Sequence, residues 1–140
     1  MPLWKVYHPE HAFSPEDKHA IARRITGIYR DLPPFYVGVV FEAVPKSAFF
    51  IGGEPADDFV RIAVDHIARQ LGDDAVKQQF LSAVTRQLAP FITERGLRWE
   101  MHIDETPFSL WVIEGYRPPL PGSADEVRWR TENRPSPLKV

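Results

Sequence analysis

Residues 1–7 read MPLWKVY, and the proline at position 2 is the residue on which the reading turns. Proline fixes its own φ and has no N–H to give to a sheet ladder, so a strand tolerates it at its first position or on an edge. That makes Pro2 a strand-start proline followed by the strand Leu3 to Tyr7, which ends in a turn at His8-Pro9-Glu10. A second reading stands beside it. An initiator methionine ahead of a small residue is normally removed, which would leave Pro2 as a free secondary amine.

Outward from this strand, SPEDKHAIARRITGIYRDL (14–32) predicts a helix. Ser14 can cap it, Pro15 suits the first helical position, and Asp17 completes a capping box. Ile21, Ala22, Ile25, Ile28, Tyr29 and Leu32 recur at steps of three and four and predict one buried face. Pro33-Pro34 stops the helix. FYVGVVFEAV (35–44) then predicts a buried strand, and residues 45–58, with Pro45, Gly52-Gly53 and Pro55, predict a short hairpin.

The order then repeats. Val60, Ile62 and Val64 alternate with Arg61, Ala63 and Asp65, the period of a strand. Asp73 or Asp74 can cap a helix whose apolar face is Val76, Phe80, Leu81, Val84, Leu88 and Ile92, with Pro90 expected to kink or interrupt it. Gly96 suits a C-cap, Leu97 to Ile103 predicts a strand, and Leu110 to Ile113 a short return strand. The tail from Arg117 is proline-rich and polar, anchored by Val127 and Trp129.

These elements predict an α/β (α+β) fold: two consecutive β-α-β units, about 2–58 and 59–116, forming one mixed sheet with the helices on one face. The domain is expected over 1–122, with 123–140 as an extended C-terminal arm. Each crossover should be right-handed. A bare sheet face with apolar side chains needs cover, which predicts face-to-face oligomerisation.

With 17 basic and 19 acidic residues the net charge of −2 offers no footprint for nucleic acid. Cysteine is absent, which removes disulfides and thiolate chemistry from consideration. No apolar run reaches the roughly 20 residues that span a bilayer, and the start of the chain lacks a signal-peptide layout, so a cytoplasmic protein with no membrane partner is expected. His8-Pro9-Glu10-His11 lacks the helical spacing of a zinc site, Gly52-Gly53 is too short for a phosphate cradle, and no serine lies in a G-x-S-x-G elbow. No metal or cofactor is expected.

PLWKVY at the start, FSPEDKHAIARRIT at the first helix, FFIGG at 49–53 and IEGYRPPLPG at 113–122 together resemble the tautomerase superfamily, and within it the branch of cis-3-chloroacrylic acid dehalogenase. The resemblance implies a β-α-β homotrimer with an amino-terminal proline at the floor of a pocket, acting as general base or acid on a small oxo or unsaturated carboxylic acid. Burial of such an amine disfavours its cation and lowers its pKa toward neutrality. By the same resemblance Glu114 falls where that branch activates water, and His102 near the tyrosine that assists it. Tyr29 stands where the branch has a substrate-binding histidine. The substrate carboxylate calls for guanidinium groups, for which Arg69 is the candidate and Arg61 a further one, although the branch's paired-arginine spacing is not kept. A keto-enol tautomerase is the expected activity. The alternatives are a hydratase or dehalogenase acting on a 3-haloacrylate-like substrate, and a non-catalytic trimeric binding protein on the same scaffold.

Overall fold

The computed structural model describes residues 1–139. Strand β1 (Leu3–Pro9) turns Trp4, Val6 and His8 inward, each 2% exposed or less. Helix α1 (Pro15–Ile28) begins as its sequence predicts: Asp17 N–H donates to Ser14 Oγ and Ser14 N–H to the Asp17 carboxylate, both at 3.0 Å. The same carboxylate accepts two bonds from Arg95 at 2.9 Å, so one residue caps α1 and ties it to the second half of the chain. Strand β2 (Gly38–Val44) and the two-residue arms β3 (Phe50–Ile51) and β4 (Glu54–Pro55) follow.

Strand β5 (Phe59–His66) buries Val60, Ile62, Val64 and His66. Helix α2 (Asp74–Leu88) is capped by Asp73, whose carboxylate accepts the Val76 N–H at 3.0 Å. It ends two residues before Pro90. Ile92 therefore reaches the core from beyond the helix, whereas Val76 is 44% exposed and not part of the buried face. Gly96 takes φ +77° and turns the chain into β6 (Arg98–Glu105).

The four long strands lie in the order β2-β1-β5-β6, with β1 parallel to β2, β5 parallel to β6, and β1 antiparallel to β5. The expected two β-α-β units in one mixed sheet are thus present. Trp4, Val6, Ile21, Ile25, Val60, Ile62, Val64, Val84 and Leu88 form the core between the sheet and the two helices.

Four expectations need correction. The strand expected to be buried over 35–44 is an edge strand with Val40, Glu42 and Ala43 exposed. No return strand forms at Leu110–Ile113. Leu110 and Val112 are 74% and 65% exposed with no strand to pair with, and only a single bridge joins Ile113 to Tyr116. The arm over 123–140 is not extended: Ala124–Glu132 form helix α3, because Ser123 Oγ accepts the Glu126 N–H at 3.3 Å and Trp129 buries its indole completely. Val127, expected as an anchor, is 47% exposed. Finally, the helix-free face of the sheet is largely polar, with a Lys5–Asp65 ion pair at 3.3 Å and Arg61 bonded to His102, so apolar exposure does not by itself demand a cover.

Candidate functional site

The parallel and antiparallel pairings bring the beginnings of β1 and β2 to the same end of the sheet as the ends of β5 and β6. Pro2 lies there, buried, its carbonyl accepting the Gly38 N–H at 2.9 Å. Leu3 pairs with Asp65, and carrying that register one residue further sets Pro2 opposite His66. His66 in turn pairs with Glu105. Pro2 and His66 belong to the same alternating set as Trp4 and Val64, so both face the helices.

Tyr29, the C-cap of α1, closes one side. Its hydroxyl accepts the Trp4 Nε1–H at 3.1 Å and lies 2.6 Å from His66 Nε2. Burial pushes the Tyr29 phenol above its ordinary range, and burial also holds His66 below the usual histidine value, opposed by the Glu105 carboxylate and assisted by the nearby terminal amine. The terminal amine of Met1 is lowered to about 5, first by desolvation and then by the Arg69 cation. An amine in this place is a free base at neutral pH.

Arg69 follows β5 and closes a second side. It donates to Glu126 Oε1 at 2.5 Å and to its neighbour's Ala68 carbonyl at 2.8 Å. Glu126, 4% exposed on the first turn of α3, also accepts the Gly122 N–H at 3.0 Å. Tyr36 is wholly buried beside them, and its hydroxyl has no partner. Burial, reinforced by the Glu126 carboxylate, raises that phenol's pKa. Trp129, Tyr36, Leu32 and Ala68 form a second apolar cluster that seals this end of the molecule. A cleft of about 550 Å³, lined by Ala68, Arg69, Glu105, Phe108 and Leu120, opens next to it. Pro2 does not line this cleft; Arg69 belongs both to the cleft wall and to the surroundings of the terminal amine.

Of the six residues singled out in the sequence, Pro2, Tyr29 and Arg69 therefore share this end of the sheet. Arg61 and His102 do not. They pair on the helix-free face, 2.6 Å from Arg61 Nη2 to His102 Nδ1, with Asp104 3.3 Å from His102 Nε2. His102 stands opposite Ala63, and Ala63 opposite Lys5, three residues along β1 from Pro2. Glu114 is exposed at the tip of a tight turn in which Ile113 and Tyr116 exchange backbone bonds of 3.1 and 2.8 Å, and it holds a left-handed φ of +49°. Left-handed backbone is uncommon for a residue of this kind, which marks the turn as specified rather than accidental.

Three residues of this site were not singled out as candidates. His66 carried a signal, since it continues the inward alternation of Val60, Ile62 and Val64. Glu126 carried one too, because S-A-D-E at 123–126 is a capping signature. Tyr36 carried none, as nothing in FYVG distinguishes a buried phenol at a site from one in a core.

The family model Tautomerase_3, "Putative oxalocrotonate tautomerase enzyme", matches residues 1–134. The chain belongs to the Tautomerase_3 family. It is similar to RhCC from Rhodococcus jostii RHA1, with 47% identity over 97% of this chain and 99% of that one, at a TM-score of 0.94. A protein from the thermophilic fungus Aspergillus fumigatus is 38% identical over 99% of this chain and 98% of its own, at a TM-score of 0.93. N1, a member of the cis-3-chloroacrylic acid dehalogenase family, shares the fold at a TM-score of 0.75, with 22% identity over 94% of this chain and 97% of that one. No curated protein matches the chain significantly. Membership in the tautomerase superfamily is consistent with the two β-α-β units and their mixed sheet. Among the described residues no helix is long and apolar enough to cross a membrane.

Proposed function

We propose that the protein is a cofactor-independent, tautomerase-like enzyme that uses Pro2, freed by removal of Met1, as general base and then general acid on a small oxo or unsaturated carboxylic acid. The observation that carries this reading is the placement of Pro2, buried at the end of the sheet where Tyr29, His66 and Arg69 gather. The terminal amine of Met1, which precedes Pro2 here, is lowered to about 5 by desolvation and the Arg69 cation, so these surroundings disfavour an ammonium. Pro2, one residue further in and buried, would present its ring nitrogen to the same surroundings. In the reaction the Pro2 nitrogen accepts the proton of an enol O–H or of a carbon next to a carbonyl, and returns it to the other end of the enol system.

Arg69 supplies the cation for the substrate carboxylate. Its guanidinium is already engaged by Glu126, so the substrate must use the donors left over or share Nη2 with that carboxylate. His102 and Arg61, which one chain holds away from Pro2, enter this reading only as groups offered to a neighbouring subunit in a homotrimer. Glu114, on its exposed turn, has a part only in the alternative hydratase or dehalogenase reading, where it would activate water.

Intact mass, followed by incubation with a 3-halopropiolate that alkylates nucleophilic amines and peptide mapping of the label, tests the reading. The expected result is a mass lacking Met1 and a single adduct on Pro2, together with keto-enol tautomerase activity on an enolpyruvate that falls by about a hundredfold or more in Pro2→Ala. Retained Met1, or a Pro2→Ala variant with intact activity, would overturn it.

A further inference from the structure

We propose that His66 is a hydrogen-bond donor of the Pro2 site, offering a neutral Nδ1–H to the oxygen of a bound small oxo acid, with Tyr29 as the residue that sets its tautomer. The inference deepens the tautomerase reading and rests on it for the identity of the ligand, but not for the state of the imidazole.

An indole N–H only donates, so the Trp4 bond at 3.1 Å makes the Tyr29 oxygen an acceptor. The Tyr29 hydroxyl proton has one other partner, His66 Nε2 at 2.6 Å, and donating there makes Nε2 the acceptor. A neutral imidazole accepting at Nε2 carries its hydrogen on Nδ1. Burial favours the neutral ring. Nδ1, in a side chain only 2% exposed, has no partner. A buried N–H without an acceptor costs on the order of 1–3 kcal/mol, and such a group in a native fold calls for a ligand or a water to complete it.

The register puts the His66 side chain beside Pro2. Residues directly opposite on antiparallel strands project to one face with Cβ atoms about 5 Å apart, and the register that pairs Leu3 with Asp65, carried one residue on, sets His66 opposite Pro2. Proton transfer at an enol or keto carbon places negative charge on the substrate oxygen. A neutral N–H fixed beside the proton-transferring amine stabilises that charge without competing for the proton. Arg69, three residues on, meets the carboxylate end of the same molecule. Tyr29 acts through His66 and is a positioning residue.

The test has two arms. In the first, long-range ¹H–¹⁵N correlation spectra of the uniformly ¹⁵N-labelled full chain report the His66 tautomer, and oxalate, a planar mimic of an enolate, is titrated as the probe. The expected spectrum is a neutral ring protonated on Nδ1, whose proton shifts on saturation with oxalate, and a tautomer mixture in Tyr29→Phe. A ring protonated on Nε2, or an Nδ1–H unmoved by saturating oxalate, overturns the proposal. In the second arm, His66→Phe lowers kcat by about a hundredfold with KM changed far less, as for loss of one oxyanion donor. Tyr29→Phe, the milder variant, lowers kcat by about tenfold with KM again little changed. An unchanged kcat in Tyr29→Phe with a shifted tautomer also overturns it. If Pro2 proves non-catalytic, the kinetic arm is lost for every variant while the spectra still decide the state of His66, so the two failures are distinguishable.

Discussion

Removing either partner of the Arg69–Glu126 pair should affect stability unequally, and substrate recognition with it. Glu126 is the more deeply placed partner, its side chain 6% exposed against 34% for Arg69. Glu126→Leu leaves the guanidinium a partly open path to water and strips an acceptor from the Gly122 N–H. Breaking a fully buried pair costs roughly 3–5 kcal/mol, and the solvent access of Arg69 reduces that here to about 2 kcal/mol. Arg69→Met is worse for the fold, because it strands a buried carboxylate whose Oε2 already lacks a partner. About 3 kcal/mol is expected. The double variant should cost less than the sum by about 1–2 kcal/mol, since each single change charges the protein for the same abandoned partner. Urea denaturation followed by tryptophan fluorescence measures all three, with Trp129 and Trp111 close to the pair as reporters. The kinetic counterpart is a KM for a small oxo acid that rises strongly in Arg69→Met and weakly in Glu126→Leu. Strict additivity in the cycle would show that the two groups do not depend on each other, and the placement of Arg69 by α3 would fall with it.

Acid should loosen the fold earlier than its carboxylates alone would dictate. His8 and His66 are both buried and both held below the ordinary value of about 6.5, so the unfolded chain binds more protons between their folded and unfolded pKa values. Stability is then fully present above about pH 6.5 and lost as pH falls, by up to about 1.4 kcal/mol per unit for each histidine. Asp17, held low by Arg95, contributes to acid loss only below the ordinary carboxylate range. Urea midpoints at pH 7.5 and 5.5 check this, and a flat midpoint refutes it. Trp129→Ala should cost about 3–5 kcal/mol, since a fully buried indole is removed and Ser136 loses the N–H that its carbonyl accepts at 3.0 Å. Thermal melts read this directly, and a change below about 1 kcal/mol would mean that α3 is not an integral part of the fold.

The regular elements were legible because each is specified locally. The Ser14, Pro15 and Asp17 start of α1 and the alternation of β5 need no partner to be recognised. What sequence reading missed depends on contacts across the chain. Exposure of β2 is decided by its edge position, and Leu110–Ile113 has strand-like letters but no strand beside it. Proline richness in the tail hid a nine-residue helix that its own Ser123 cap announces. The site divides the same way. Pro2 and Arg69 were nominated by the family's chemistry, whereas the juxtaposition of Pro2 with His66 follows only from carrying the antiparallel β1–β5 register one residue on, which no local pattern contains.

Unpaired polar atoms sharpen the location of the site. Among the described residues four buried side-chain atoms lack a partner: His8 Nε2, Tyr36 Oη, His66 Nδ1 and Glu126 Oε2. His8 lies at the far end of β1, against Phe13 and Phe41. The other three are linked through one neighbourhood: the terminal amine acts on His66, Arg69 acts on that amine and on Tyr36, and Glu126 is bonded to Arg69. A buried polar group left without any partner costs on the order of 1–3 kcal/mol, so these three are atoms that a ligand or a bound water would complete. A ligand with a carboxylate for Arg69 and an oxygen for His66 would give these groups partners. On the tautomerase reading, these groups are the preorganised donors and acceptors of a proton-transfer site.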